Sequence, residues 1–451
     1  MVLKHRPKRR TPLVVLVLAI ALGGCSSEPA PTVVPSVSST PVATPSGAAP
    51  TAGPSAAPCD PSAPLPSAVP TPNATDPDTA LHQAIEAKVE QIRGLTPATP
   101  VVAAVLDAAG LCALLRETLA RQDPADLTAA TERVYKQLLL IPQGALLQRL
   151  YLDLYAGQVI GLYDQYAKHL YVIAGTGVTT PLGQITYAHE FTHALQDQAF
   201  DLQKLRGDAK DQGDRSLALT SLVEGDAVLA MSLWAQAALT PQQLAEAAGA
   251  TDPASAAALD AAPAILREPL LFAYTAGMRM AVTAYQNAGG YSGVNALFAE
   301  NPSTTEQVMH PDKLAAREPG RAVVVPGALL TSLGAGWKIA LEDTLGEFLL
   351  GIIVRTGDAK AGTDPAAGWG GDRLALIEGP NGAQATVIDT AWDSQAAADA
   401  FVVAVGPYVQ RLKTAGRRVL AYQSATRVVL LVADSAATLD LLRGPYAIVT
   451  Y

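Results

Sequence analysis

The sequence predicts an α+β protein, predominantly helical, with a small antiparallel α+β domain at its C-terminal end. Three observations carry this. Apolar residues recur at helical spacing over most of residues 80–154 and 182–350. Two β-rich runs, residues 159–163 and 169–173, break that period on either side of a short polar stretch and read as a hairpin. From Gly368 onward, two hairpin-and-helix units follow one another: β-like runs around Pro380-Asn381-Gly382 lead to a helix from Ser394, and runs at 418–422 and 427–432 lead to a helix ending near Leu442.

Composition sets the outer limits. The chain has 451 residues, 49% hydrophobic and 16% charged, which excludes a wholly disordered protein. It carries 32 basic and 41 acidic residues, a net charge of −9. Lys4, Arg6, Lys8, Arg9 and Arg10 all precede Cys25 and no acid does, so cleavage there leaves 27 basic residues against 41 acidic, a net −14. No nucleic-acid partner is expected for such a chain.

Residues 1–10 are basic and residues 11–22 form an uncharged apolar run, the layout of a secretory signal. The run ends in Leu22-Gly23-Gly24-Cys25, which resembles the bacterial lipobox. That resemblance implies a lipoprotein signal peptide over 1–24, a lipidated Cys25, and an extracytoplasmic protein held to the cell membrane by an N-terminal lipid anchor. Residues 26–78 hold 14 of the 33 prolines among Ser, Ala and Thr and read as a solvated tether. The Asn73-Ala74-Thr75 sequon within it has a chance origin as its simplest account. Cys59 and Cys112 either pair in an oxidising compartment or stay apart, Cys112 packing among Leu106, Leu111 and Leu115.

Globular sequence starts near Ala80, where Leu81, Ile85, Val89 and Ile92 mark one face of a helix, and helical sequence continues to about Leu154. Helical pattern returns at Leu182 and carries His189-Glu190-Phe191-Thr192-His193. Residues i and i+4 share a helix face, so both imidazoles can meet one zinc ion while Glu190 reaches the same place. A third ligand is needed. Asp197 is excluded while its helix continues, because it lies about 12 Å along the axis from His189. The metzincin continuation fails as well, since Gln196 and Ala199 stand where Gly and His are required. Downstream, residues 216–231 form an apolar helical segment with Glu224 and Asp226 in its middle, and buried acids call for a cation. Glu224 is the expected third ligand. Asp226 is either an acceptor behind a ligand imidazole or a member of a structural ion pair. His82 and His169 are expected at the surface.

An HExxH followed by a glutamate on the next major helix resembles the gluzincins, the thermolysin-like, peptidase MA-like branch of zinc metallopeptidases. The fuller pattern of GLYD, AHEFTHALQDQ, LVEGDA, STTEQVMHP and GWGGD resembles a group of bacterial secreted or lipid-anchored proteins with that peptidase-like core. The resemblance spans most of residues 80–400 and departs from thermolysin at Val228, where that enzyme has an aspartate. It implies a zincin-like core over 80–360, and the hairpin-and-helix units put the small domain over 361–451. It also implies a Zn2+ cofactor on His189, His193 and Glu224, with Glu190 as general base toward a metal-activated water. Tyr274 or His310 would then supply the oxyanion donor, and the substrate would be a peptide or protein lying along a sheet edge. A non-enzymatic envelope lipoprotein that keeps the fold is the alternative. Hydrolysis of a non-peptide amide is a third possibility.

Overall fold

The computed structural model describes Cys59 and residues 78–446, apart from 123, 174–177, 208, 210–211, 251, 359, 361 and 363. The signal sequence, Cys25 and the Asn73 sequon lie outside the described residues. Where described, the chain is mostly helical, with a small antiparallel sheet of five strands near its C-terminal end.

The first sheet has three strands. β1 (Val102–Leu106) pairs in parallel with the later of the two hairpin strands, giving the order β1-β3-β2 with β2 (Gly161–Asp164) and β3 (His169–Ile173). The hairpin matches expectation, but β1 falls in a stretch read as helical. Residues 101–106, VVAAVL, form a continuous apolar run with no alternation, and such a run is equally compatible with a buried helix turn. Pro97 and Pro100 just before it oppose helix, and β3 supplies the partner that local sequence could not reveal.

The motif helix, Pro181–Phe200, starts where the Thr180 hydroxyl accepts the Gly183 amide, with Pro181 at the first helical position, and stops at Asp201 in the left-handed region. The 26-residue helix Gly213–Ala238 packs against it and also against Ala264–Ala288. The second crossing is unusually close. A Cβ at Gly225 would sit 2.2 Å from the Gly277 backbone, and one at Gly277 would sit 2.0 Å from the Ser221 carbonyl oxygen. Gly213–Ala238 is long and apolar enough to cross a membrane, but most of it is buried inside the protein, as in a core helix.

The second sheet has the order β4-β5-β6-β8-β7, all antiparallel, with β4 at Lys338–Asp343, β5 at Trp369–Glu378, β6 at Gln384–Trp392, β7 at Arg418–Ser424 and β8 at Arg427–Ala433. The two hairpins and their following helices, Gln395–Thr414 and Ala436–Arg443, lie where the sequence put them. β4 adds a strand at Lys338–Asp343 ahead of the β runs expected from Gly368. One apolar cluster joins Leu222, Phe272 and Leu349 to Trp369, Trp392 and Leu412, so the sheet shares its core with the helical part. The other sheet face packs Ile377, Val387 and Leu431 against Leu439 and Leu442 of the last helix. Cys59 is paired with Cys112, their Cα atoms 5.4 Å apart, which settles the first of the two readings.

Candidate metal centre

The helix pair brings together the side chains singled out by spacing. His189 Nε2 lies 3.0 Å from His193 Nε2 and 3.2 Å from Glu224 Oε2, and His193 Nε2 lies 3.5 Å from the same oxygen. A tetrahedral zinc with ligands at about 2.0–2.1 Å sets its donors roughly 3.3 Å apart, so these three edges fit one face of such a site. Each of the three residues is fully buried. Burial would raise the Glu224 carboxyl, but the two imidazoles outweigh it and hold the group down at about 2.

Hydrogen bonds define the tautomer of one imidazole. Gln196 Nε2 donates to the Val223 carbonyl oxygen at 3.0 Å and to Asp226 Oδ2 at 2.8 Å, neither of which can donate. The amide NH2 must therefore face them, and Gln196 Oε1, 2.8 Å from His193 Nδ1, accepts. Nδ1 then carries the proton, and the Nε2 lone pair faces His189 and Glu224. A lone pair directed at a second imidazole nitrogen and a carboxylate suits a cation, and Glu224 Oε1 is buried without a hydrogen-bond partner. The donor set of two imidazoles and a carboxylate fits zinc.

Asp226 is the ion-pair member of the two roles considered for it, and it reaches His193 only through Gln196. Its carboxylate holds Gln196 and also takes Arg93 Nε at 2.9 Å, an ion pair with neither side chain exposed. Arg93 ends the first helix, Thr79–Arg93, and its guanidinium lies 4.5 Å from the centre of the Tyr291 ring. The chain Arg93, Asp226, Gln196, His193 thus supports that imidazole from outside. In the sequence Gln196 stands out only as a departure from the metzincin pattern. Its position one turn beyond His193 was the available signal.

Glu190 is set by the hairpin. Its Oε2 accepts the Tyr163 amide of β2 at 2.7 Å. Gly161 permits the approach, since a Cβ there would lie 2.7 Å from the Thr186 methyl and 3.1 Å from Glu190 Cγ. Tyr163 also donates through its hydroxyl to Asp197, which Lys168 Nζ meets at 2.5 Å. Asp197 therefore serves the hairpin, in keeping with its exclusion as a ligand. Glu190 is fully buried as well. Arg206, which the sequence did not single out, lies within electrostatic reach of Glu224, Asp197 and Tyr274; burial lowers its guanidinium and those groups oppose the shift.

The two oxyanion candidates part company. Tyr274 is buried with its ring stacked on His189, centroids 5.9 Å apart. His310 instead meets Glu347 Oε2 at 2.9 Å and Asp364 Oδ2 at 3.5 Å, and no hydrogen bond, ion pair or ring contact among the described residues ties it to the two histidines. Asp364 and Glu347 together raise the His310 imidazolium to about 10, against burial. His82, expected at the surface, is buried and stacks on Tyr187 at 4.1 Å. It occupies the core-facing stripe of its helix with Ile85 and Val89, where an imidazole can pack flat on an aromatic ring. His169 is partly buried on β3.

Residues 337–447 match the model of a domain of unknown function, DUF8575, a range that takes in all five strands of the second sheet and leaves the two histidines outside. No curated protein and no solved structure matches the chain.

Proposed function

We propose that this protein is a zinc metallopeptidase of the gluzincin type, anchored by lipid outside the cytoplasm, with His189, His193 and Glu224 as ligands and Glu190 as general base. The observation that carries the reading is the meeting of three ligand atoms at distances of 3.0, 3.2 and 3.5 Å, with Glu190 next in sequence to the first of them. The zincin-like core belongs to the same reading and is supported by the hairpin against the motif helix and the glutamate arriving from the next long helix. The lipid anchor rests on the residues that end in Cys25.

When bound, zinc would supply electrophilic activation of a water and of a substrate carbonyl. The chain's own groups do the remainder. Glu190 accepts the water proton and delivers it to the leaving amine, and the Tyr163 amide on Oε2 fixes one oxygen of its carboxylate. Gln196 holds the proton on His193 Nδ1. Tyr274, in ring contact with a ligand, is the better placed oxyanion donor, since His310 would have to leave Glu347 and Asp364 to serve.

One observation favours a second reading. His189, Glu190, His193 and Glu224 are all fully buried, so a peptide reaches them only if the site opens. That burial suits a structural ion in a non-enzymatic envelope lipoprotein. The two readings separate on a peptide library: chelator-sensitive cleavage that vanishes in Glu190→Ala supports the peptidase. Stoichiometric zinc with no turnover in the wild type overturns it in favour of the binding module.

A further inference from the structure

A second group of ligand-type side chains lies outside the centre just described. His310 follows the short helix Thr305–Met309, Glu347 sits in the first turn of Gly346–Gly357, and Asp364 precedes β5. We propose that His310, Glu347 and Asp364 form a second divalent-metal site of the zinc class, tying the approach to β5 to the helices.

One imidazole nitrogen, His310 Nε2, faces both carboxylates, at 2.9 and 3.5 Å, and one ligand atom from each residue lies within 4.8 Å of the others. These separations resemble the donor edges of the first centre. Glu347 is fully buried in an apolar helix, and its Oε1 has no hydrogen-bond partner. His310 meets Oε2 alone, so the buried Oε1 is left without a partner.

Charge balance points the same way. With a protonated imidazole alone, two carboxylates and one cation leave a net −1; a divalent ion with neutral imidazole brings the group to zero. His310 and Asp364 retain side-chain exposures of 34% and 23%, which gives an ion a route in and leaves room for water at the remaining positions. Mixed imidazole and carboxylate donors suit zinc or manganese.

The test uses the full chain, stripped with a chelator, loaded with Zn2+ alone and freed of excess by gel filtration, with bound metal counted by mass spectrometry and folding checked by circular dichroism. Two equivalents are expected in the wild type. One is expected in Glu347→Gln and in Asp364→Asn, the latter a partly exposed position where loss of folding is not at issue. One equivalent is also expected in His193→Ala, because the first centre alone is lost. A wild type with one equivalent, kept by Asp364→Asn and Glu347→Gln and lost in His193→Ala, overturns the second site and leaves the first standing. Two equivalents unchanged in both carboxylate variants overturn the assignment too.

Discussion

Gln196 Oε1 lies 2.8 Å from His193 Nδ1, on the side of the imidazole away from His189 and Glu224. Because the other end of the amide is committed to Val223 and Asp226, the contact has only one polarity. Replacing Gln196 with Ala frees the imidazole to change tautomer. Metal affinity should fall by about 10- to 100-fold, the usual effect of losing a group behind a ligand. Competition with a chromophoric chelator measures it, and unchanged affinity would separate Gln196 from the centre.

Arg93 and Asp226 form the outer end of that chain, with neither side chain exposed. Arg93→Met leaves a buried carboxylate without its cation, a change that costs roughly 3–5 kcal/mol. Urea unfolding should register a loss of that size. The double variant Arg93→Met with Asp226→Leu should recover part of it, although the hold on Gln196 is then gone.

The Gly225–Gly277 crossing predicts an inversion of ordinary helix preference. Alanine is normally better than glycine within a helix by about 1 kcal/mol. Here a methyl at Gly277 would come 2.0 Å from the Ser221 oxygen, so the helices must separate. Gly277→Ala should be destabilising by about 1–3 kcal/mol, read as a lowered Tm. It should also loosen zinc, because Tyr274 and Glu224 flank the crossing.

Asp214 predicts a pH dependence of stability. Burial raises its carboxyl to about 7 although Thr305 donates to it through amide and hydroxyl, and Asp372 and Glu306 add to the rise. The unfolded group titrates near 3.9, so between about pH 4 and pH 7 the folded state binds more protons than the unfolded state. The contribution is therefore full below about pH 4 and is lost as pH rises toward 7, on the order of 4 kcal/mol in all. Asp214→Asn keeps an acceptor for Thr305 and removes the titration. Its stability relative to wild type should improve as pH increases from 4.5 to 7.5, as urea titrations would show; a constant difference would contradict the assignment.

Much of this molecule was legible because its signals were local. The i, i+4 histidines, the apolar setting of Glu224 and the paired hairpins after Gly368 depend on short-range periodicity, and each lies in an element of the expected kind. What escaped depends on distant partners. β1 needed β3 before its apolar run could be told from a helix, and β4 needed β5. His82 carried no mark of the Tyr187 ring that covers it. His310 and Glu347 are 37 residues apart, and nothing near either in sequence announces the other.

Anomalous diffraction at the zinc edge, from crystals of the protein grown with zinc, bears most directly on the central claim. The account predicts a peak about 2.0–2.2 Å from His189 Nε2, His193 Nε2 and Glu224 Oε2. A map from zinc-containing crystals with no peak among those three atoms would contradict it.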